Sequence, residues 1–554
     1  MRPTPPVSVT GLLLAWLGYV ASLTPTMVPR TTAVQVLMST LLPLTGYAVG
    51  AILGALGRLL TGDRRVLGRR PALRRFALGA GALGAVAAVA LTPMALQWQQ
   101  DYTAAAGWSV PSWPVVLVLA PVLFLAGLML ARLLRAAGRG VARGWQRLVR
   151  VPALATVLGG LTVAAVAAVL VGVGFALLVA QFDRVDADTT AQQQPESGLR
   201  SGGPGSLVDW QGLGRQGREF VAGGPTVEQI EAFSGEPAKE PIRVYVGRDQ
   251  ADSPQARAAL LVDELRRTGG LERESVVVVA TSGLGSVHPT SAQTLEYVAN
   301  GDVATAATQF SRVPSWLTSI VDRGGAQREA AALIDALTAA VEGLPPDQRP
   351  DLYLSGESLG ALGSQQALDG ATPEQVTDRF DGVLWVGTPA TSQLLREWVR
   401  FPAGTPAWEP VVGDGSIARF AASPDRVPLE DSTWGDRRVL FLHSATDPVA
   451  YFSGSLLRTR PDWMGAGQFP LLPERMAWWP MFTWEQMLID FTTNGFVPPG
   501  FGHNYSNSHA TGWAAVLNPE GWDAARVAAL ERYRAEVGPP DPGVAAPQAV
   551  GAVR

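Results

Sequence analysis

The sequence predicts an α/β domain preceded by an all-α, five-helix membrane region. Three observations carry this. Five long uncharged apolar stretches fill the first third of the chain. Acidic residues are nearly confined to the remaining two thirds, Asp63 and Asp101 being the only carboxylates before residue 183. In that later part, β-branched runs alternate with amphipathic helical periods. At 554 residues the chain is too long for one ordinary core. A net charge of -4 and a pI near 5.8 give no reason to expect nucleic acid as a partner. There is no cysteine, which excludes disulfides, thiolate catalysis and cysteine-ligated metals. Only four histidines are present, His288, His443, His503 and His509, with no His/Glu run at ligand spacing, so neither a metal nor a cofactor is expected.

The membrane region is assigned to residues 1–182, with spans at roughly Val7 to Val28, Thr32 to Leu56, Phe76 to Trp98, Val115 to Ala131 and Val151 to Phe182. Each approaches or exceeds the ~20 residues that a helix needs to cross the hydrocarbon layer. The first is read as a retained span rather than a signal peptide, because its apolar run is long and no small-residue cleavage site comes after it. Arg64, Arg65, Arg69, Arg70, Arg74 and Arg75 lie after the second span, and Arg132, Arg135, Arg139, Arg143, Arg147 and Arg150 after the fourth. The loop after the third has no basic residue. The positive-inside rule therefore makes the N-terminus cytoplasmic and everything after Phe182 extracytoplasmic. No Asp, Glu, Lys or Arg lies within the spans, which favours an anchor over an ion path. Gly46, Gly50 and Gly54, four residues apart, suit close helix packing.

Residues 183–206, "DRVDADTTAQQQPESGLRSGGPGS", are polar and glycine-rich and read as a flexible tether. The α/β domain is assigned to 207–535. "IRVYVG", "ESVVVVATS", "DLYLSG", "GVLWVG" and "RRVLFLHS" read as buried strands, and amphipathic stretches such as "SPQARAALLVDELRRTGG" and "REAAALIDALTAAVEGL" between them as helices. Such alternation predicts a mostly parallel sheet covered on both faces. The tail 536–554 reads as disordered.

Chemistry is signalled at "DLYLSGESLG". Glycine is so common in this chain that G-x-S-x-G alone is weak, but a strand runs into Ser358 and a helix leaves it, the context of a nucleophile elbow. The turn would hold the Ser358 hydroxyl beyond the strand end and turn the Leu359 N–H toward a developing oxyanion. Ser282 and Gly283, in the loop after an earlier strand, are candidates for the second donor. A serine needs a base, and the base an orienting acid, in the order Ser, Asp, His. Asp447 comes after a strand, and His503 lies in a glycine-rich loop near the domain's end. His509, in the same region, is the alternative base; His443 and His288 are expected to be structural.

The blocks "PIRVYVG", "VVVVATSGLGSVHPTSAQTLEYVANGD", "VPSWLTSIVD", "LYLSGESLGALG", "SATDPVAYF", "RPDWMG" and "GHNY", behind a multi-span region, resemble a family of bacterial membrane-anchored α/β-hydrolases, the ninth α/β-hydrolase domain family. The resemblance covers nearly the whole chain. It implies an α/β-hydrolase fold with Ser358 in the nucleophile position, and implies little about substrate. The aromatic run 474–491 is expected either to cover the core or to wall an acyl site, and 311–321 to add a second apolar wall. The resulting expectation is a membrane-anchored serine hydrolase facing the cell envelope and acting on an ester or thioester of a lipid or acylated substrate. An acyltransferase using the same triad and a non-catalytic scaffold are the alternatives.

Overall fold

The computed structural model describes residues 8–60, 71–105, 107, 110–190, 192–322, 324–402, 405–464, 476–494 and 497–537. Five helices come first: α1 (Val9–Leu23), α2 (Thr32–Leu60), α3 (Pro71–Ala105), α4 (Trp113–Trp145) and α5 (Pro152–Ala187). Then come α6 (Gly214–Ala222), α7 (Val227–Ser234), β1 (Ile242–Val246), α8 (Pro254–Thr268), β2 (Ser275–Ala280), α9 (Pro289–Val298), β3 (Val303–Thr308), α10 (Ser315–Val321) and α11 (Gly325–Glu342). The chain continues through β4 (Asp351–Glu357), α12 (Leu359–Ala367), α13 (Pro373–Arg379), β5 (Gly382–Val386), α14 (Gln393–Trp398), β6 (Val399–Arg400), β7 (Val411–Val412), β8 (Ala418–Ala421) and β9 (Arg438–Leu442). It ends with α15 (Pro448–Tyr451), α16 (Phe482–Thr493), α17 (His509–Leu517) and α18 (Ala524–Val537). These elements divide into two compact units, Met1–Leu178 with Gly454–Thr493, and Val179–Ser453 with Asn494–Arg554.

Among the described residues, four stretches are long and apolar enough to cross a membrane: Thr32–Gly57, Gly81–Gln100, Trp113–Trp145 and Pro152–Ala187. The expected first span differs. Its helix, α1, has 15 residues, a length of about 22 Å at 1.5 Å per residue, short of the ~30 Å hydrocarbon layer. Pro25 and Pro29 bracket the turn that ends it. Arg30 is buried behind that turn, donating to Ser22 O (2.7 Å), Gln35 Oε1 (3.0 Å), Thr24 O (2.8 Å) and Thr26 Oγ1 (3.1 Å). Hydropathy averages over such a break. Gly46 and Gly50 do mark close packing: a Cβ at either would fall 2.2 Å from Leu14 O or 2.3 Å from Thr10 O on α1. Arg64, Arg65, Arg69 and Arg70 lie outside the described residues, as do the side chains of Arg74 and Arg75 and most of the 536–554 tail.

The aromatic run contributes α16 to this first unit. Phe482 and Ile489 pack with Ala21, Met38 and Leu42. Asp490 Oδ2 accepts from Met27 N (3.2 Å), and Gln486 Nε2 donates to Ala21 O (2.7 Å). Periodicity told which face of α16 is apolar but not what covers it.

The second unit is built on a seven-stranded sheet in the order β1-β3-β2-β4-β5-β9-β8, every pairing parallel. Its central strands read as continuous apolar runs because both faces are covered. Val276, Val278, Leu352, Leu354, Val383, Trp385, Val439 and Phe441 belong to one core; Val277, Tyr353, Leu384, Val386, Leu440 and Leu442 pack with Trp513 and Val516 of α17 in another. β4, from which the serine motif emerges, lies between β2 and β5.

The expected tether is instead fastened to this unit. Arg200 bridges Arg243 along the outer edge of β1, with Ser201 N donating to Arg243 O (3.0 Å) and Tyr245 N to Ser201 Oγ (3.0 Å). Ser206 Oγ and Leu207 N both donate to the Glu264 carboxylate, at 2.6 and 2.9 Å. Polar groups that suggested solvation are what satisfies a sheet edge.

Arg243 is 2 % and Glu296 0 % exposed, and they form a bidentate pair at 2.6 and 2.8 Å. Removing one partner strands the other charge in the interior. Arg243→Met is therefore expected to destabilise by about 3–5 kcal/mol, and adding Glu296→Leu to recover part of that loss. Thermal unfolding of the detergent-solubilised protein measures both; equal losses for single and double variants would contradict a buried-charge penalty.

Candidate active site

Ser358 lies between β4 and α12 with φ 56° and ψ −117°, a left-handed backbone costing on the order of 1–3 kcal/mol for a residue with a Cβ. Its surroundings hold it there. Ser358 N donates to Val386 O on β5 (2.9 Å), and Ser358 O accepts from Leu362 N in the first turn of α12 (3.0 Å). A Cβ at Gly360 would fall 2.0 Å from Ala280 O. The helix after the serine thus rests backbone to backbone on the end of β2, and only glycine permits that approach.

Asp447 caps α15, and no part of its side chain is exposed. Oδ1 accepts from Val449 N (2.9 Å); Oδ2 accepts from Tyr505 Oη (2.8 Å) and pairs with His503 Nδ1 (2.6 Å). Three partners on a buried carboxylate fix its direction. With Nδ1 committed to Asp447, His503 presents Nε2, which is buried and has no hydrogen-bond partner among the described residues. The ring lies against Gly387, where a Cβ would fall 2.4 Å from His503 Cε1 and where φ is +57°. Gly387 directly follows Val386, the residue whose carbonyl holds the Ser358 amide. No hydrogen bond joins Ser358 Oγ to Nε2 in this structure; such contacts are often long before substrate binds.

Burial disfavours the imidazolium of His503, but the charge and hydrogen bond of Asp447, with Glu357 beyond, outweigh it and raise its pKa above the usual value. His443 goes the other way. Burial brings it down to about 4 despite the Asp447 charge, and its ring packs edge-on to Tyr451. It is a neutral core group.

His509, the alternative base, opens α17 and is fully buried, its ring 4.5 Å from that of His288 and its Nε2 3.7 Å from Glu357 Oε2. The carboxylate of Asp447 is bonded to His503 and not to His509. Burial and the neighbouring His288 hold His509 well below the usual range, so it is neutral.

For the oxyanion, Leu359 is the first residue of α12, where an N–H has no acceptor inside its own helix. The Ser282–Gly283 loop leaves the end of β2, against which Gly360 rests. The two expected donors there are not equivalent: Gly283 N already donates to Ser315 Oγ at the start of α10 (3.1 Å), which leaves Ser282. Tyr505 was missed from the sequence. Its hydroxyl clamps Asp447 and accepts from Ser444 N (2.9 Å). The sequence signal was its place two residues after His503, inside the quoted "GHNY" block. Together, an acid, a steered imidazole and a serine on a strained turn can activate a hydroxyl for attack on a carbonyl.

The family model described as "Alpha/beta-hydrolase family" matches residues 242–530, and "Alpha/beta-hydrolase family N-terminus" matches 23–225. The chain belongs to this family, as its sequence blocks suggested. Curated proteins gave no match. Among solved structures, a Trichoderma reesei cutinase in complex with a C11Y4 phosphonate inhibitor is similar at 12% identity and a TM-score of 0.20, over 43% of this chain and 88% of that one. That likeness is too slight to carry an argument.

The glycine at 387 gives a direct check. Gly387→Ala would add both a left-handed strain and a Cβ inside the His503 ring, and a displacement of about 1 Å at such a site costs on the order of 100-fold. Fluorophosphonate labelling of Ser358 is expected to slow by that order; an unchanged rate would mean that His503 does not act from this position.

Proposed function

We propose that this member of the α/β-hydrolase family is a membrane-anchored serine hydrolase that cleaves ester or thioester bonds of a lipid or acylated substrate through Ser358, His503 and Asp447. The observation that carries the reading is the 2.6 Å bond from Asp447 Oδ2 to His503 Nδ1, which leaves Nε2 without a hydrogen-bond partner among the described residues while the ring rests against Gly387. Ser358 Oγ attacks the carbonyl carbon as its proton passes to His503 Nε2. Asp447 stabilises the imidazolium and holds the tautomer, with Tyr505 keeping the carboxylate from turning away. The oxyanion is met by the Leu359 and Ser282 N–H groups. The alkoxide or thiolate leaves with the proton from Nε2, and an acyl-serine remains. Water, deprotonated by the same nitrogen, adds to it and restores Ser358. An alcohol in place of water makes the site an acyltransferase.

An acyl substrate is favoured by α10, which starts at the loop of Gly283 and carries Trp316 and Val321, 43% and 50% exposed. Large apolar groups beside a polar site suit a fatty chain. The envelope-facing orientation rests on the arginines. Arg132, Arg135, Arg139 and Arg143 are on the last turns of α4, and one crossing, α5, separates them from the α/β domain. By the positive-inside rule that domain is then extracytoplasmic whether or not the short α1 crosses.

Ser358→Ala is expected to abolish fluorophosphonate labelling and turnover of p-nitrophenyl acyl esters. Since the base must be neutral and its pKa is raised, the wild-type rate should fall with decreasing pH through an apparent pKa above 6.5. Undiminished labelling in the variant would remove Ser358 from its role. A wild-type protein that neither labels nor turns over esters would favour a scaffold, and preferential cleavage of amide reporters would make it a peptidase.

A further inference from the structure

We infer that His288, Glu357 and His509 form a binding site for one divalent transition-metal ion of the zinc class, separate from the Ser358 triad and set behind the serine turn. One ligand atom from each of the three lies within 4.8 Å of the others. An ion with tetrahedral bonds of about 2.05 Å spaces its ligands about 3.4 Å apart, and His509 Nε2 and Glu357 Oε2 are already 3.7 Å apart. The remaining closure is a small side-chain rotation.

The second observation is independent of that spacing. Both ring nitrogens of His509, Oε2 of Glu357 and Nδ1 of His288 are buried with no hydrogen-bond partner among the described residues. Each buried orphan of this kind costs about 1–3 kcal/mol, and all of them belong to the three residues whose ligand atoms, one from each, cluster within 4.8 Å. His509 is fully buried, so no bulk water relieves it. The three side chains line a cavity of about 20 Å³ together with Ser286, Ser291 and Ser355, room for one ion or one water molecule.

The chemistry of the donors selects the ligand. Two imidazoles and one carboxylate suit zinc and its borderline neighbours rather than calcium or magnesium, which take mostly oxygen. The arrangement also comes from the fold. Strand alternation puts Tyr353, Ser355 and Glu357 on the face of β4 that α17 covers, since Tyr353 packs in the core containing Trp513. His509 is the first residue of α17 and His288 the residue that caps α9. A shared ion would therefore tie the ends of β4, α9 and α17 together one residue before Ser358.

The experiment uses untagged full-length protein in detergent. Elemental analysis after purification without chelator, and titration of chelator-stripped protein with zinc chloride and with cobalt(II), are expected to give one equivalent per chain, with the visible bands of a four- or five-coordinate cobalt centre. Zinc should also raise the melting temperature of the stripped protein. His288→Gln and Glu357→Gln should lose both effects, while His503→Gln keeps them. Folding of each protein is verified by circular dichroism. Folded wild type without saturable zinc or cobalt binding would overturn the inference, as would unchanged binding in both His288→Gln and Glu357→Gln. Loss confined to His503→Gln would overturn it too, by assigning the metal to the triad histidine.

Discussion

Everything at the site depends on one close approach, that of the α12 backbone to the end of β2 at Gly360 and Ala280. Because no side chain intervenes, the helix starts immediately after β4, and Ser358 is forced into a left-handed conformation that neither a strand nor a helix would give it. The same contact sets the loop of Ser282 beside the helix N-terminus, so the strain that exposes the hydroxyl and the donors that would meet an oxyanion have a single cause. Parallel pairing of β4 with β5 then brings Val386 and Gly387 alongside, and Gly387 admits the imidazole of His503. A side chain at either glycine would move one reactive group relative to another.

Much of this was legible because it is local. Strand, tight turn and helix around Ser358 are encoded by an apolar run, two glycines and a helical stretch within about ten residues. The order of Asp447 and His503 was legible too, though which histidine Asp447 would bond was not. That choice is made by the loop after α16, where Asn494 O accepts from His503 N (3.4 Å) and Gly502 N donates to Thr446 Oγ1 (2.9 Å). No periodicity encodes these contacts, and the second spans more than 50 residues. The same limit explains α16. Its aromatic face is visible in the sequence, yet its partner is the α1–α2 pair more than 400 residues earlier.

Polar residues in the first unit show what a hydropathy profile misses. The apolar spans carry no charge in their interiors, but Arg30 lies in the turn between α1 and α2, and Asp490 comes from α16. Both are buried, and both satisfy backbone groups that the broken helix leaves open. Asp490 accepts from Met27 N in the very turn whose carbonyls Arg30 holds. The insertion carrying α16 therefore completes the polar interior of the unit as well as its apolar packing.

Four histidines meet three environments, and the differences come from what each faces rather than from burial alone. His443 faces aromatic rings and stays neutral. His503 faces the Asp447 carboxylate and is biased toward accepting a proton. His288 and His509 face each other and Glu357, a group whose neighbour in sequence is Ser358. Glu357 thus stands between two assemblies: its charge favours protonation at His503, while its Oε2 lies 3.7 Å from His509 Nε2. A substitution there would act on both, which is why separating the proposed triad from the second cluster requires changing His288, whose ring packs on that of His509, and comparing it with His503.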